Sequence, residues 1–198
     1  MNNAFLSNNA VFLLGAVAAL VMGGIIALLI YRKRKARQIK TRLQAVSREI
    51  MADIVIPDGD EGQIHVEYAL LTSKGIVIID VKDVSGHIFG SDAMDNWTVL
   101  AKQRRFTFVN PQYALYDRIA AIKRLVTDVP VTGYVAFKDG GDFSKGQPSK
   151  VISLERLIEQ LGAKKQAIRT ELEETWMLEW AQLRETIITA RADELLRS

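Results

Sequence analysis

Apolar positions run unbroken over residues 10–30 (AVFLLGAVAALVMGGIIALLI), recur every three or four residues over 36–51, and then come in alternating or solid short blocks up to residue 82. At about 1.5 Å per residue, a run of 21 matches the ~30 Å hydrocarbon core of a bilayer and predicts a transmembrane helix. Ile39, Leu43, Val46 and Ile50 keep a helical period and predict that the helix continues through 36–51. ADIVIP, 52–57, predicts a short strand stopped by Pro57, and 57–62 is a turn cluster. QIHVEYALLT (63–72) and GIVIIDVK (75–82) predict two strands with only Ser73 and Lys74 between them. HIFG, WTVL and RRFTFV mark a further β-rich region. Pro111 opens a helix, PQYALYDRIAAIKRLVT, with Leu115, Ile119, Ile122 and Val126 on one face. PVTGYVAFK (130–138) predicts a strand and 139–148 a loop. From 153 to 197 the pattern is helical, with Ile168, Leu172, Trp176, Trp180, Leu183 and Ile187 in one stripe. Such a stripe packs on its own domain, pairs with a partner helix or rests on the membrane surface.

The order predicts an α/β fold in which the early strands form an antiparallel meander. The divisions are a short external N-terminus (1–9), a transmembrane helix (10–31), a basic juxtamembrane segment (32–42), a core domain (43–150) and a C-terminal helical region (151–198).

Charge refines this picture. Residues 1–31 carry no Lys, Arg, Asp or Glu, whereas 32–42 hold seven Lys or Arg and no acid. The polar stretch precedes the apolar run and the basic one follows it, the reverse of a cleaved signal peptide. The positive-inside rule then places everything after residue 42 in the cytoplasm, as expected for a single-pass protein of a bacterial inner membrane. Without those seven residues, 19 basic side chains face 23 acidic ones, a net of −4. The basic cluster is thus read as a contact for anionic headgroups rather than nucleic acid. Gly15, Ala19 and Gly23 share one helix face, which is ordinary for a membrane helix but also leaves open a second copy as partner, there or along the C-terminal helix. The absence of cysteine excludes thiolate zinc sites and thiol catalysis. There is also no phosphate-binding glycine loop and no serine-histidine-acid set.

With Ser73 and Lys74 as a two-residue turn, facing residues have numbers summing to 147. Glu67 then faces Asp80 and His65 faces Lys82, all four on one side of the hairpin, while Val66, Val81, Tyr68, Ile79, Leu70 and Val77 take the other. Two facing carboxylates repel unless something positive lies between them. A divalent cation suits that place, because Mg²⁺ is commonly held by one or two carboxylates with water and substrate phosphate. Spacing alone leaves equally open a solvated face on which Lys82 neutralises Glu67 diagonally.

VEYALL, SKGIVIIDVK, SGHIFG, Trp97-Thr98 and Asn110-Pro111 together resemble the nuclease-related domain (NERD) family, a branch of the PD-(D/E)XK nuclease superfamily, over about residues 49–137. The resemblance implies a restriction-endonuclease-like mixed sheet with flanking helices, and Mg²⁺- or Mn²⁺-dependent hydrolysis of DNA or RNA. It implies Glu67 and Asp80 as metal ligands, Lys82 as the third catalytic group, and Glu49 as a candidate further acid. Where the family has Asp on the first strand and Glu before x-Lys, this chain has Glu67 and Asp80. At the helix positions where the family tends to place Gln, Asn and His, it has Ala114, Leu115 and Arg118. Arg118, Arg104 and Arg105 are the candidate phosphate contacts. The alternative that these departures leave is a degenerate nuclease fold serving as a membrane-tethered binding module.

Overall fold

The computed structural model describes residues 2–57, 62–164 and 171–197, apart from the side chains of 2–16, 18, 19, 164, 171–175 and 190–197. It divides into two compact units, Met1–Thr41 and Arg42–Ser198. The first is the greater part of helix α1 (Asn2–Val46), in which every described side chain from 20 to 31 is exposed, Leu20 at 77% and Leu29 at 57% among them. Among the described residues no helix is long and apolar enough to cross a membrane. Most of the apolar run before residue 20, including Gly15 and Ala19, lies outside the described side chains.

The second unit is mixed α/β. A five-stranded sheet has the order β1-β2-β3-β7-β9, built from Glu49–Pro57, Gln63–Thr72, Gly75–Lys82, Val131–Phe137 and Val151–Ser153. β1, β2 and β3 form the expected antiparallel meander, and β7 and β9 join in parallel. A second mixed sheet, β6-β5-β4-β8, consists of Arg104–Val109, Asn96–Ala101, Gly86–Phe89 and Gly141–Asp142. With α2 (Pro111–Leu125), α3 (Leu154–Lys164) and α4 (Glu171–Arg197) there are four helices among the described residues.

Several expectations move. Residues 49–51 belong to β1 rather than to the preceding helix: Arg48 N–H donates to the Leu71 carbonyl at 2.8 Å, and Ile50 then faces Leu70. A segment this short satisfies a helical or a strand period equally well, and sheet pairing decides it. The 139–148 loop contributes β8, and β9 is added after it. The C-terminal helix is two helices, with 165–170, and so Ile168, outside the described residues. The described part of its stripe belongs to the domain core: Trp180, Leu183 and Ile187 are buried with Ile54, Ile56 and Leu115.

α2 is placed by its cap and by a glycine. The Asn110 side chain accepts the Gln112 N–H at 3.0 Å and Pro111 occupies the first turn, where a missing N–H costs nothing. Leu115 and Ile122 are fully buried as expected, with Ile119 packed beside them. On β7, Gly133 lets the helix come close, since a Cβ there would lie 2.8 Å from Leu115 Cδ1 and 3.0 Å from Ile119 Cδ1. Gly133 pairs with Ile78, two residues before Asp80 and on the same face. The helix therefore lies over the face that carries Asp80.

Candidate active site at the open end of the hairpin

The β2–β3 register sums to 147 from Thr72–Gly75 to Tyr68–Ile79, as the turn arithmetic requires. There the ladder stops. The two further pairs that the arithmetic expects, Glu67 with Asp80 and His65 with Lys82, are not strand partners. Continued pairing would offer the Val81 N–H to Val66; instead it donates to Glu67 Oε2 at 2.8 Å. A carboxylate has replaced a ladder carbonyl, and the strands part at the point where the two acids meet.

Asp80 is 5% exposed, beside Val135 of β7, which is fully buried. A carboxylate so placed needs counter-charge. Lys82 Nζ supplies it at 2.9 Å from Asp80 Oδ2, from two residues along the same strand face, and Arg118 Nη1 approaches the same oxygen at 3.5 Å. Arg118 stands one helical turn from both Leu115 and Ile122, at the flank of the buried stripe of α2. Its Nε donates to the His65 carbonyl at 2.6 Å. The guanidinium is thus fastened to β2 while it reaches β3.

Glu67 is half-buried, and its carboxyl is pushed above the usual carboxylate range. Desolvation is the main cause, the charge of Asp80 adds to it, and the Val81 N–H and Lys82 oppose it. Asp53 also raises it. Asp53 is not among the residues that the sequence singles out, although an acid inside the apolar stretch ADIVIP is a visible signal. The β1–β2 register sums to 120, which sets Asp53 opposite Glu67, yet Ala52–Tyr68 and Ile54–Val66 pair on either side while Asp53, at φ 53°, does not. Aspartate tolerates the left-handed region better than most residues. Its exposed carboxylate lies 3.6 Å from His65 Nε2. Asp53, Glu67 and Asp80 thus occupy one level across three strands.

Glu49 is not brought to this level. It faces Leu71, four residues and roughly 13 Å along the sheet from Glu67, and pairs with Arg184 of α4 at 2.7 Å. Arg104 and Arg105 lie exposed on β6, the edge strand of the second sheet. They are not among the residues lining the open cleft of about 540 Å³ next to Arg118, which include Gln63, His65, Ala114 and Arg124. His87, with no partner evident in the sequence, pairs through Nδ1 with Asp142 Oδ2 at 2.8 Å on the adjoining strand.

The donor set fits a divalent cation in part. Two carboxylates on neighbouring strands with a lysine beside them are the minimum that Mg²⁺ uses when water and phosphate complete its shell. Among the described residues no three His, Asp or Glu side chains converge as a self-sufficient site. Asp53 is turned out to solvent, and Lys82 and Arg118 already share one oxygen of Asp80.

No curated protein and no solved structure matches the chain. The family model described as nuclease-related domain, NERD, matches residues 31–138, which contain β1 to β7, α2 and every residue of the parted hairpin end. With more than half of its length matched, the chain belongs to the nuclease-related domain family.

Proposed function

We propose that this chain hydrolyses phosphodiester bonds of DNA or RNA with the help of Mg²⁺ or Mn²⁺, and that residues 10–31 tether it to a membrane with the domain on the cytoplasmic side. The observation that carries the first part is Asp80, a nearly buried carboxylate at the open end of a core hairpin with Lys82 at 2.9 Å and Glu67 on the neighbouring strand. In this reading Glu67 and Asp80 hold the cation, which supplies charge stabilisation and an acidified water. Lys82 holds the attacking water or a phosphate oxygen in place, and the apolar surroundings of Asp80 strengthen every charge interaction there. Arg118 and the adjoining cleft receive the substrate backbone.

The test is cleavage of labelled single- and double-stranded nucleic acid by the full chain in mild detergent, with Mg²⁺, Mn²⁺ or EDTA, beside Asp80→Ala and Lys82→Ala. Cleavage is expected only with metal and should fall about 100-fold or more in both variants. Metal-independent cleavage, or none by the unaltered chain, overturns the reading. Lys82 is the more exposed of the two, so its variant keeps the test valid should Asp80→Ala unfold.

The tether is supported by the uncharged 21-residue run, the unbroken helix through it, the exposed apolar side chains of residues 20–30 and the seven basic residues behind them. The chain should stay with membranes after an alkaline carbonate wash, and paired Leu20→Arg and Ile25→Arg substitutions should release it; release of the unaltered chain sinks the tether.

A second reading, a catalytically silent member serving as a tethered binding module, is favoured by the neutralisation of Asp80 by two cations and by the exchanged lengths of Glu67 and Asp80. It predicts nucleic-acid binding without cleavage in any metal.

A further inference from the structure

Arg118 takes part in two places at once. Its Nη1 shares Asp80 Oδ2 with Lys82, and its side chain also lines the open cleft with Gln63, His65 and Arg124. The two cations on Asp80 are held differently. Lys82 comes from the same strand and sits at 2.9 Å, whereas Arg118 comes from α2 and sits at 3.5 Å, the looser contact. What fixes Arg118 is its Nε, bonded to the His65 carbonyl at 2.6 Å. With Nε held, the terminal nitrogens can exchange Asp80 for a group in the cleft without loss of the anchor. A guanidinium fork matches a phosphate better than it matches one carboxylate oxygen at this distance.

We propose that Arg118 is an exchangeable counter-ion, resting on Asp80 when the cleft is empty and moving to a phosphate when one enters, so that phosphate and divalent cation bind cooperatively. The proposal rests on the reading of Glu67 and Asp80 as the cation site. Arg118 and a divalent cation compete for the same carboxylate, so the resting arginine lowers cation affinity. A phosphate in the cleft withdraws the arginine and restores it. Thermodynamic reciprocity requires the cation to favour phosphate binding by the same factor. Cation occupancy would then follow substrate arrival. Arg118 thus acts on the phosphate directly and on the cation through Asp80.

The experiment is a Mn²⁺ titration of the full chain in mild detergent, followed by the electron-spin resonance of free Mn²⁺, with and without thymidine 5′-monophosphate. Asp80→Asn gives the baseline for Mn²⁺ bound by nucleotide alone. In the unaltered chain the nucleotide should tighten Mn²⁺ binding about fivefold or more. Arg118→Ala should bind Mn²⁺ more tightly than the unaltered chain without nucleotide and should no longer respond to it. Arg118→Lys keeps the charge but not the fork and should also lose most of the response. An Arg118→Ala chain that binds Mn²⁺ equally or more weakly, or either variant keeping the full response, overturns the exchange. If Arg118→Ala does not fold, Arg118→Lys alone decides. An unaltered chain that binds no Mn²⁺ overturns both this proposal and the cation reading, whereas binding without nucleotide response overturns this one only.

Discussion

Toward its turn, the β2–β3 hairpin pairs residue for residue, and Ala69, Leu70, Ile76 and Ile78 are sealed from water on both faces. Beyond Tyr68 and Ile79 the same two strands part, and polar side chains bind the backbone there: Glu67 accepts the Val81 N–H in place of a ladder carbonyl, and Arg118 donates to the His65 carbonyl. The distinction lies in what each end gains by closing. Continued pairing at the open end would press two carboxylates together, whereas pairing near the turn buries only branched aliphatic surface. One short hairpin thus has an end built for stability and an end built to hold charge. The two ends should fail differently when altered.

The largest stability loss belongs to the turn end. Ile78→Ala empties space beneath α2 and beside Gly133, and should cost about 2–5 kcal/mol in a denaturant titration. A loss below 1 kcal/mol would blur the distinction between the ends. Gly75→Ala comes next, because Gly75 sits at φ +100° and a Cβ there would lie 2.2 Å from the Pro130 carbonyl oxygen. It should cost about 1–3 kcal/mol, read as a lowered thermal midpoint.

At the open end the sign reverses. The folded carboxyl of Glu67 titrates above the unfolded value of 4.5, so between the two the folded state holds the extra proton. Stability therefore falls as pH rises through that window, and at neutral pH the ionised Glu67 stabilises the fold less than its protonated form would. Glu67→Gln, whose amide oxygen can still accept the Val81 N–H, should raise the thermal midpoint at pH 7. The gain should vanish below about pH 4, where Glu67 is protonated in both states. A midpoint lowered at pH 7 would place Glu67 among the stabilising residues instead. Arg184→Ala should have the smallest effect, at most about 1 kcal/mol, since its pair with Glu49 is substantially solvent-exposed. It should also leave Mn²⁺ binding unchanged, which separates Glu49 from the site.

The sequence disclosed the turn end almost completely. Two apolar runs with two residues between them fix the register, and the observed bounds of both strands coincide with those expected. It also set Glu67, Asp80 and Lys82 on one face of the hairpin, though the strand pairing it expected for them stops at Tyr68 and Ile79. What it concealed depends on neighbours distant in the chain. The parting of the strands reflects desolvation of Glu67 and the claim of its carboxylate on an amide, neither of which a numerical register contains. Arg118 was visible as a candidate phosphate contact, but its hold on His65 and Asp80 required α2 to be laid over Gly133. Glu49 shows the opposite limit. An acid near the right strand looked like a ligand until pairing with Leu71 and Arg184 set it at the far end. The short β8 and β9 carry no period of their own and exist through their parallel partners.

The central claim is that the open end holds a divalent cation through Asp80 and Glu67. Equilibrium Mn²⁺ binding to the full chain, compared with Asp80→Asn at matched circular dichroism, tests it most directly. One Mn²⁺ per chain is expected, lost with the carboxylate. An unaltered chain that takes up no Mn²⁺, or an Asp80→Asn chain that binds it equally well, rules out a cation site at this end.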